Sequence, residues 1–357
     1  MDRDRRHLLL GLGAGMASCA RRSTAPPPPL ALDTALLDRE FPGLVARSRP
    51  GFLNGGVLIP ATGQSWCWDK DTRMPLQSVF KAPLASAALA EVDAGRLKLN
   101  ERIRLTVDDL SPLHSPIDVA WPTPPEGHVM DMPAIDLIAL AVQDSDNTAA
   151  DTIMKRIGGP GAVTAWLRAK GIDGISIDRY ERELQQDLAG LPAFRPEWKD
   201  ETAWLAARDS VPTGARESAM NAYLADPRDT VTTPAALEWL RQLSLNQLLS
   251  PGSTRLLLRL MTHTATGLQR LRAGLPADAS LAHKTGSAAT DLGRTPAAND
   301  IGLVTLKDGR QFAAAAFLAG STATEAERDR LIADTARLFV RAVSQPSPAS
   351  PSAMKPL

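Results

Sequence analysis

Apolar positions recur along the chain with two different periods, and these divide it into three stretches. Residues 32–46 carry Leu32, Leu36, Leu37, Phe41 and Leu44 at helical spacing, which predicts an amphipathic helix. Two short strands follow, Asn54–Pro60 and Gln64–Asp69, with the turn Ala61-Thr62-Gly63 between them. An alanine- and leucine-rich run then extends from Lys81 and ends at Gly95, the pattern of a helix stopped by glycine. From there to about Leu240 the pattern is one of helices and loops with little alternation. Asp131-Met132-Pro133 is expected to open a helix through Val142, with the proline in its first turn. The turn Ser145-Asp146-Asn147 feeds a helix to Ile157, stopped by Gly158-Gly159-Pro160, and 162–170 continues the helical pattern. Strand patterns return at Leu281–Ala288, Ile301–Lys307 and Gln311–Ala319, with Asp308-Gly309 as a hairpin turn before a helix from Thr324 to Val343. Strands at both ends and helices between them predict one sheet built from both termini, an inserted all-helical domain, and a cleft at the junction.

Composition changes little in that picture. The 357 residues are 44% apolar and 22% charged with zero formal net charge, so nothing favours a nucleic-acid partner or an anionic membrane surface. The first residues are a different matter. Arg5-Arg6 precede an apolar run, Leu8–Ala17, too short to span a bilayer but suited to an export signal of twin-arginine type. Met16-Ala17-Ser18-Cys19 resembles a lipoprotein box, which admits a lipid anchor at Cys19; the alternative is plain cleavage near Ala20. Residues 1–19 are therefore expected to direct export to the periplasm, 20–31 to form a proline-rich tether, and 344–357 a disordered tail. Cys67 then has no partner within the chain and is expected to be a strand residue without chemistry.

Candidate chemistry begins at Gln77-Ser78-Val79-Phe80-Lys81. Ser78 stands where a loop meets a helix, and the i,i+3 spacing puts Lys81 on its face. A serine hydroxyl needs a base within reach to act as a nucleophile, and a helix start offers free N–H groups for an oxyanion. Alone, Ser-x-x-Lys is far better explained by a helix cap and a solvated lysine. Its company decides. Ser145-Asp146-Asn147 lies on a turn between helices, Arg179-Tyr180-Glu181-Arg182-Glu183-Leu184 begins a loop, and Lys284-Thr285-Gly286 lies in a strand.

In order and separation these motifs resemble those of the class A serine β-lactamases, from about Leu32 to Val343, with Arg272-Ala273-Gly274-Leu275-Pro276 and Asn299-Asp300-Ile301 as flanking matches. The resemblance implies a two-domain α+β fold, an antiparallel sheet flanked by helices (32–75 and 245–343) with an inserted all-α domain (76–244). It implies hydrolysis of β-lactam antibiotics by a monomer without cofactor or metal. Ser78 would attack the lactam carbonyl, and the backbone N–H groups of Ser78 and Ser287 would hold the oxyanion. Ser145 would relay a proton to the lactam nitrogen beside Lys284. Asn147 would hold the substrate amide while touching Lys81, and Glu181 would activate the deacylating water. The first proton from Ser78 goes to Lys81 or to Glu181; both assignments stay open. Lys284, Thr285, Gly286 and Ser287 would form the strand edge that takes the substrate carboxylate. Arg270 matches a carboxylate-binding arginine of some members, and His114 replaces an aromatic residue at the cleft rim. His128, His263 and His283 show no metal-ligand spacing.

The chain also departs from the family. Where members read Glu-Pro-Glu-Leu-Asn, it has Glu181-Arg182-Glu183-Leu184-Gln185. A cis bond before that position would cost about 2.5–4 kcal/mol without proline, so either surrounding contacts hold it or the loop differs. Gln185, one methylene longer than asparagine, keeps the contact to the water or displaces it. The omega loop, 179–229, would be closed by Arg179 and Asp229 and carries an insertion at about 186–225. Phe194, Trp198, Trp204 and Tyr223 fall in it, which predicts a packed helical elaboration over one rim of the cleft, restricting or selecting substrates. Cysteines are missing at Gln77 and Ala288, so the disulfide of some carbapenem-hydrolysing members is absent. Two alternatives fit part of the pattern: a penicillin-binding D-Ala-D-Ala peptidase, against which Glu181 speaks, and a non-catalytic β-lactam-binding or sensor homologue, against which Lys81, Ser145 and Glu181 speak.

Overall fold

The computed structural model describes residues 29–117 and 129–343. The expectations for 1–19, for most of 20–31 and for 344–357 lie outside the described residues, as does His128. The strands are β1 (Phe52–Leu58), β2 (Ser65–Cys67), β3 (Arg73–Pro75), β4 (Arg102–Thr106), β5 (Val129–Pro133), β6 (Thr230–Thr232), β7 (Ser280–Ser287), β8 (Thr295–Thr305) and β9 (Gln311–Ser321). Five of them form an antiparallel sheet in the order β2-β1-β9-β8-β7, so the two chain ends do meet in one sheet. Gly309 turns the β8–β9 hairpin at φ 85°, a conformation that glycine adopts without steric cost.

The helices are α1 (Thr34–Ser48), α2 (Lys81–Asp93), α3 (Ala134–Ala139), α4 (Asn147–Arg156), α5 (Pro160–Ala169), α6 (Glu181–Ala189), α7 (Glu201–Ser210), α8 (Thr213–Ala225), α9 (Thr233–Ser244), α10 (Pro251–Thr262), α11 (Leu271–Gly274) and α12 (Glu325–Ala342). β9 shows how they sandwich the sheet. Its side chains alternate between faces: Phe312, Ala314, Ala316 and Leu318 join the core under α1 and α12, whereas Ala313, Ala315 and Phe317 join the core shared with the helical half. On the first face the ring of Phe41 stacks on Phe339 at 6.3 Å and meets Trp66 edge-on at 5.0 Å. The second core continues without a break from the sheet into α2, α4, α5 and α10. At its centre runs α2, buried from Lys81 to Leu89 on every side, as an apolar, alanine-rich helix must be.

Two expectations about the middle of the chain are corrected. It is not all-helical: β4 pairs antiparallel with β5, from Arg102 opposite Pro133 to Thr106 opposite Val129. Alternation in Arg102-Ile103-Arg104-Leu105-Thr106 buries Leu105 and leaves the arginines outside. Consequently Asp131-Met132-Pro133 ends a strand instead of opening a helix; Pro133 is extended (ψ 143°) and caps α3. α9, the last helix before the expected boundary at 244, packs on β1 and β9. There a side chain on Gly56 would meet Thr233 and Leu237 of α9 at under 3 Å.

Candidate active site

Ser78 lies in a single 3-10 turn, Gln77–Phe80, that runs directly into α2. Pro83 sits within the first turn of that helix, where its missing N–H removes no intrahelical bond. Two features hold the turn against the sheet. The buried amide of Asn299, on β8, donates to the carbonyls of Pro75 (2.7 Å) and Leu76 (3.1 Å). A Cβ on Gly286 would stand 2.5 Å from the Leu76 carbonyl oxygen and 3.0 Å from the Val79 nitrogen, so only glycine lets β7 come this close. Because β7 is the edge of the sheet, its outer edge, with Gly286 and the exposed Ser287, lines the nucleophile turn.

Lys81 is the hub. It is fully buried, and its Nζ donates to the carbonyl oxygen of Ser145 (2.6 Å), the Oγ of Ser145 (3.4 Å) and Oδ1 of Asn147 (2.6 Å). Ser145 also accepts at Oγ from Nζ of Lys284 at 3.0 Å, so its hydroxyl lies between two lysines. To sit there Ser145 adopts φ 60°, the left-handed region that non-glycine residues enter at a cost, typically at functional sites. Asp146 offsets it by capping α4 and accepting from the amides of Ala149 and Ile117, both at 2.7 Å. Asn147 spends one amide proton on Pro112 O at 3.1 Å. The exposed His114 bonds the Asp144 carbonyl at 2.7 Å and accepts the Asn147 N–H at its own carbonyl.

Glu181 begins α6. Its carboxylate is 2% exposed: Oε1 accepts from Nε2 of Gln185 at 2.9 Å, and Oε2 has no partner among the described residues. The only cis peptide bond among the described residues is Arg49–Pro50, so the loop differs from the family pattern at Glu181–Arg182, which is trans. Asp151 explains how. This carboxylate on α4, 2% exposed, accepts the N–H groups of Glu181 (2.7 Å) and Arg182 (3.2 Å) and the hydroxyl of Ser111 (2.7 Å). It thereby caps a helix start where anionic groups are favoured. Arg179 bonds Asp229 through Nε at 2.6 Å and reaches Asp187 and Asp226, while Asp229 also accepts the N–H groups of Asp178 and Arg179.

Near the C-terminal end of β7 Arg270 donates to Ser287 Oγ (2.8 Å) and to the carbonyl of Asn299 (3.0 Å), and is balanced by Asp329 at 2.8 Å. Thr285 shares a 2.5 Å hydrogen bond with Thr266. The insertion forms a core of its own around Trp198 and Trp204, whose rings meet edge-on at 5.8 Å. With Leu113, Gln185 and Ala289 it walls a recess of about 120 Å³ that includes Trp204, Leu205 and Met220.

Burial sets the electrostatics. It pushes the Lys284 ammonium well below the ordinary lysine range, with repulsion from Lys81 second. It lowers Lys81 too, against the attraction of Glu181, Asp146 and Asp151. The same burial raises Glu181, opposed by Lys81 and reinforced by Asp151. Among the described residues no group of three or more His, Cys, Asp or Glu could hold a metal ion, and no helix is long and apolar enough to cross a membrane. Cys67 is a free thiol in β2, pushed up to about 12 by burial.

The structure thus links Lys81, Ser145, Asn147 and Lys284 in one hydrogen-bonded network, joins Glu181 and Gln185 to Gln77 beside Ser78, and sets Gly286 against the Ser78 turn, with Arg270 bonded to Ser287 and His114 exposed next to Asp144. Reading the motifs alone misses Asp151, and it names Asn299 and Tyr223 without their contacts to the Ser78 turn. Asp151 had a signal, a carboxylate one turn after Asn147 and the only acidic residue in the run 147–156.

Known proteins share this fold. Over 86% of its length the chain superposes on a β-lactamase from Chitinophaga pinensis (TM-score 0.70, 30% identity, 99% of that chain). It superposes equally on the class A β-lactamase of the last common ancestor of Gram-negative bacteria (TM-score 0.67, 34% identity, 86% and 99% covered). The fold is that of the class A β-lactamases. In sequence it is 31% identical to β-lactamase VEB-1 of Pseudomonas aeruginosa over 76% of this chain and 78% of that protein. The sequence profile of the β-lactamase enzyme family matches residues 42–343, and the chain belongs to that family.

Proposed function

We propose that the protein hydrolyses the amide of β-lactam antibiotics in two covalent steps. Ser78 Oγ attacks the lactam carbonyl while its proton passes to the Lys81–Glu181 pair, whose burial brings the two protonation states together. The N–H groups of Ser78 and Ser287 stabilise the oxyanion. As the ring C–N bond breaks, Ser145 gives its proton to the departing nitrogen and is resupplied from the lysines on either side of it. Water then attacks the acyl carbon, Glu181 takes its proton, and Ser78 leaves with a proton restored.

One observation carries this reading: Lys81, Ser145, Asn147 and Lys284 form a single buried hydrogen-bonded network at the start of the helix that follows the Ser78 turn. The substrate carboxylate fits the Lys284–Thr285–Ser287 edge, with Arg270 supplying charge through Ser287. The recess beside Gln185 fits an apolar acyl substituent, so the insertion would select substrates; deletion of 188–224 that leaves the activity profile of a folded product unchanged would refute this. We further propose periplasmic export with Cys19 as the acylated residue, which loss of lipid labelling in Cys19→Ser would test.

Turnover of a chromogenic cephalosporin, followed with intact-mass analysis of wild type and Ser78→Ala, tests the main claim. Wild type should turn over steadily and the variant should form no adduct. A wild type that acylates and stalls would instead be a penicillin-binding protein.

A further inference from the structure

The insertion reaches deeper than the rim. Tyr223, on α8, is 5% exposed, and its hydroxyl accepts from Nε2 of Gln77 at 2.5 Å, 146 residues away in sequence. Gln77 is itself buried, directly precedes Ser78, and is held at φ 45°, a region that non-glycine residues keep only where surrounding contacts determine it. Its Oε1 accepts from Nε2 of Gln185 at 3.3 Å, and the same nitrogen donates to Glu181 Oε1 at 2.9 Å.

We propose that Tyr223 is a positioning residue for deacylation: through Gln77 it fixes the Gln185 amide and thereby Glu181. Both N–H groups of Gln185 are used, one on Gln77 and one on Glu181. The acceptors that remain are Gln185 Oε1 and Glu181 Oε2, the latter without a partner among the described residues. A water donating one hydrogen to each presents its lone pair to the acyl carbon. In this arrangement the longer Gln185 keeps the water by turning its carbonyl, not its nitrogen, toward it. Because Gln77 adjoins the nucleophile, one side chain ties the Ser78 turn, the Glu181 helix and the insertion together.

The inference rests on the acyl-enzyme reading, and the test separates the two. Acylation and deacylation rates are measured with a chromogenic cephalosporin for wild type, Tyr223→Phe, Gln77→Met and the double variant, with intact-mass detection of the adduct on Ser78. Tyr223→Phe keeps the ring in place and should slow deacylation about tenfold, the scale of one lost hydrogen bond. kcat and KM should fall together, leaving kcat/KM unchanged, and adduct should accumulate. A merely structural role would lower the active fraction without moving KM. Gln77→Met should give the same signature, and adding Tyr223→Phe to it should change nothing further. Folded Tyr223→Phe deacylating at the wild-type rate would overturn the proposal, as would a double variant slowed by the product of the two single effects. If Tyr223→Phe does not fold, Gln77→Met decides alone: wild-type deacylation overturns the link. A wild type that never forms the adduct would sink the acyl-enzyme reading itself.

Discussion

The two halves of the site are built differently. The residues to which the proposal gives acylation, Ser78, Lys81, Ser145, Asn147 and Lys284, are carried by a 3-10 turn, the buried first turn of α2, a helix-to-helix turn and a sheet edge. Every one of these elements is anchored in the continuous core of the molecule. The residues to which the proposal gives deacylation, Glu181 and Gln185, lie on α6, in a stretch that continues into α7 and α8 with a small apolar core of its own. Buried lysines hold the first half together through hydrogen bonds to each other's neighbours. The second is held by carboxylates that bind its backbone, Asp151 on Glu181 and Arg182, and Asp229 on Asp178 and Arg179. Chemistry placed in the core tolerates little change. A loop held by a few capping bonds can be rebuilt, provided those bonds survive.

If that division is right, perturbing each half should affect its own step. The largest effect expected on the first half comes from Lys81→Met. It removes three hydrogen bonds and the charge between Ser145 and Glu181, and should lower kcat/KM by about 10²–10⁴-fold, read from acylation rates. Gly286→Ala pushes β7 off the nucleophile turn through clashes with backbone atoms that cannot yield. It should cost on the order of 10²-fold in acylation while deacylation of any adduct formed proceeds nearly as in wild type. Asp229→Ala leaves Arg179, 6% exposed, with its main partner gone. Chemical denaturation should report about 3 kcal/mol of lost stability, and among the kinetic steps deacylation should suffer more than acylation.

The mildest perturbation is pH. Burial holds Glu181 above the ordinary carboxylate range, so its base form is lost at a higher pH than for an exposed glutamate as the solution is acidified. The acid limb of kcat should therefore lie above that range. The alkaline limb should fall below the ordinary lysine range, because Lys284 is lowered and loses its proton as pH rises. Rate profiles of wild type and Glu181→Gln would check this; the acid limb should vanish in the variant.

The same division governs what is legible in the chain. The residues assigned to acylation in the proposed mechanism sit in short local motifs whose spacing matches a helix turn or a strand, so Ser78, Lys81, Ser145 and Lys284 stand out in the sequence itself. The sheet is equally legible, since β7, β8 and β9 carry their own turn and strand signals. What escapes is long-range pairing. Nothing local links Asp151 to the amide of Glu181, Asn299 to the carbonyl of Leu76, or Tyr223 to Gln77, because each bond closes a loop of thirty residues or more. The alternation in β4 is readable, but its partner β5 lies across residues 118–128, and the proline at its end imitates a helix start.

The central claim is that Ser78 chemistry and Glu181 chemistry are separable steps on one scaffold. Single-turnover reaction of Glu181→Ala with a chromogenic cephalosporin, with the adduct followed by intact mass, tests it most directly. The account predicts a variant in which deacylation is slowed by about 10²–10⁴-fold and which accumulates one acyl group on Ser78. A variant that releases product at the wild-type rate, or one in which no acyl group reaches Ser78, would contradict it.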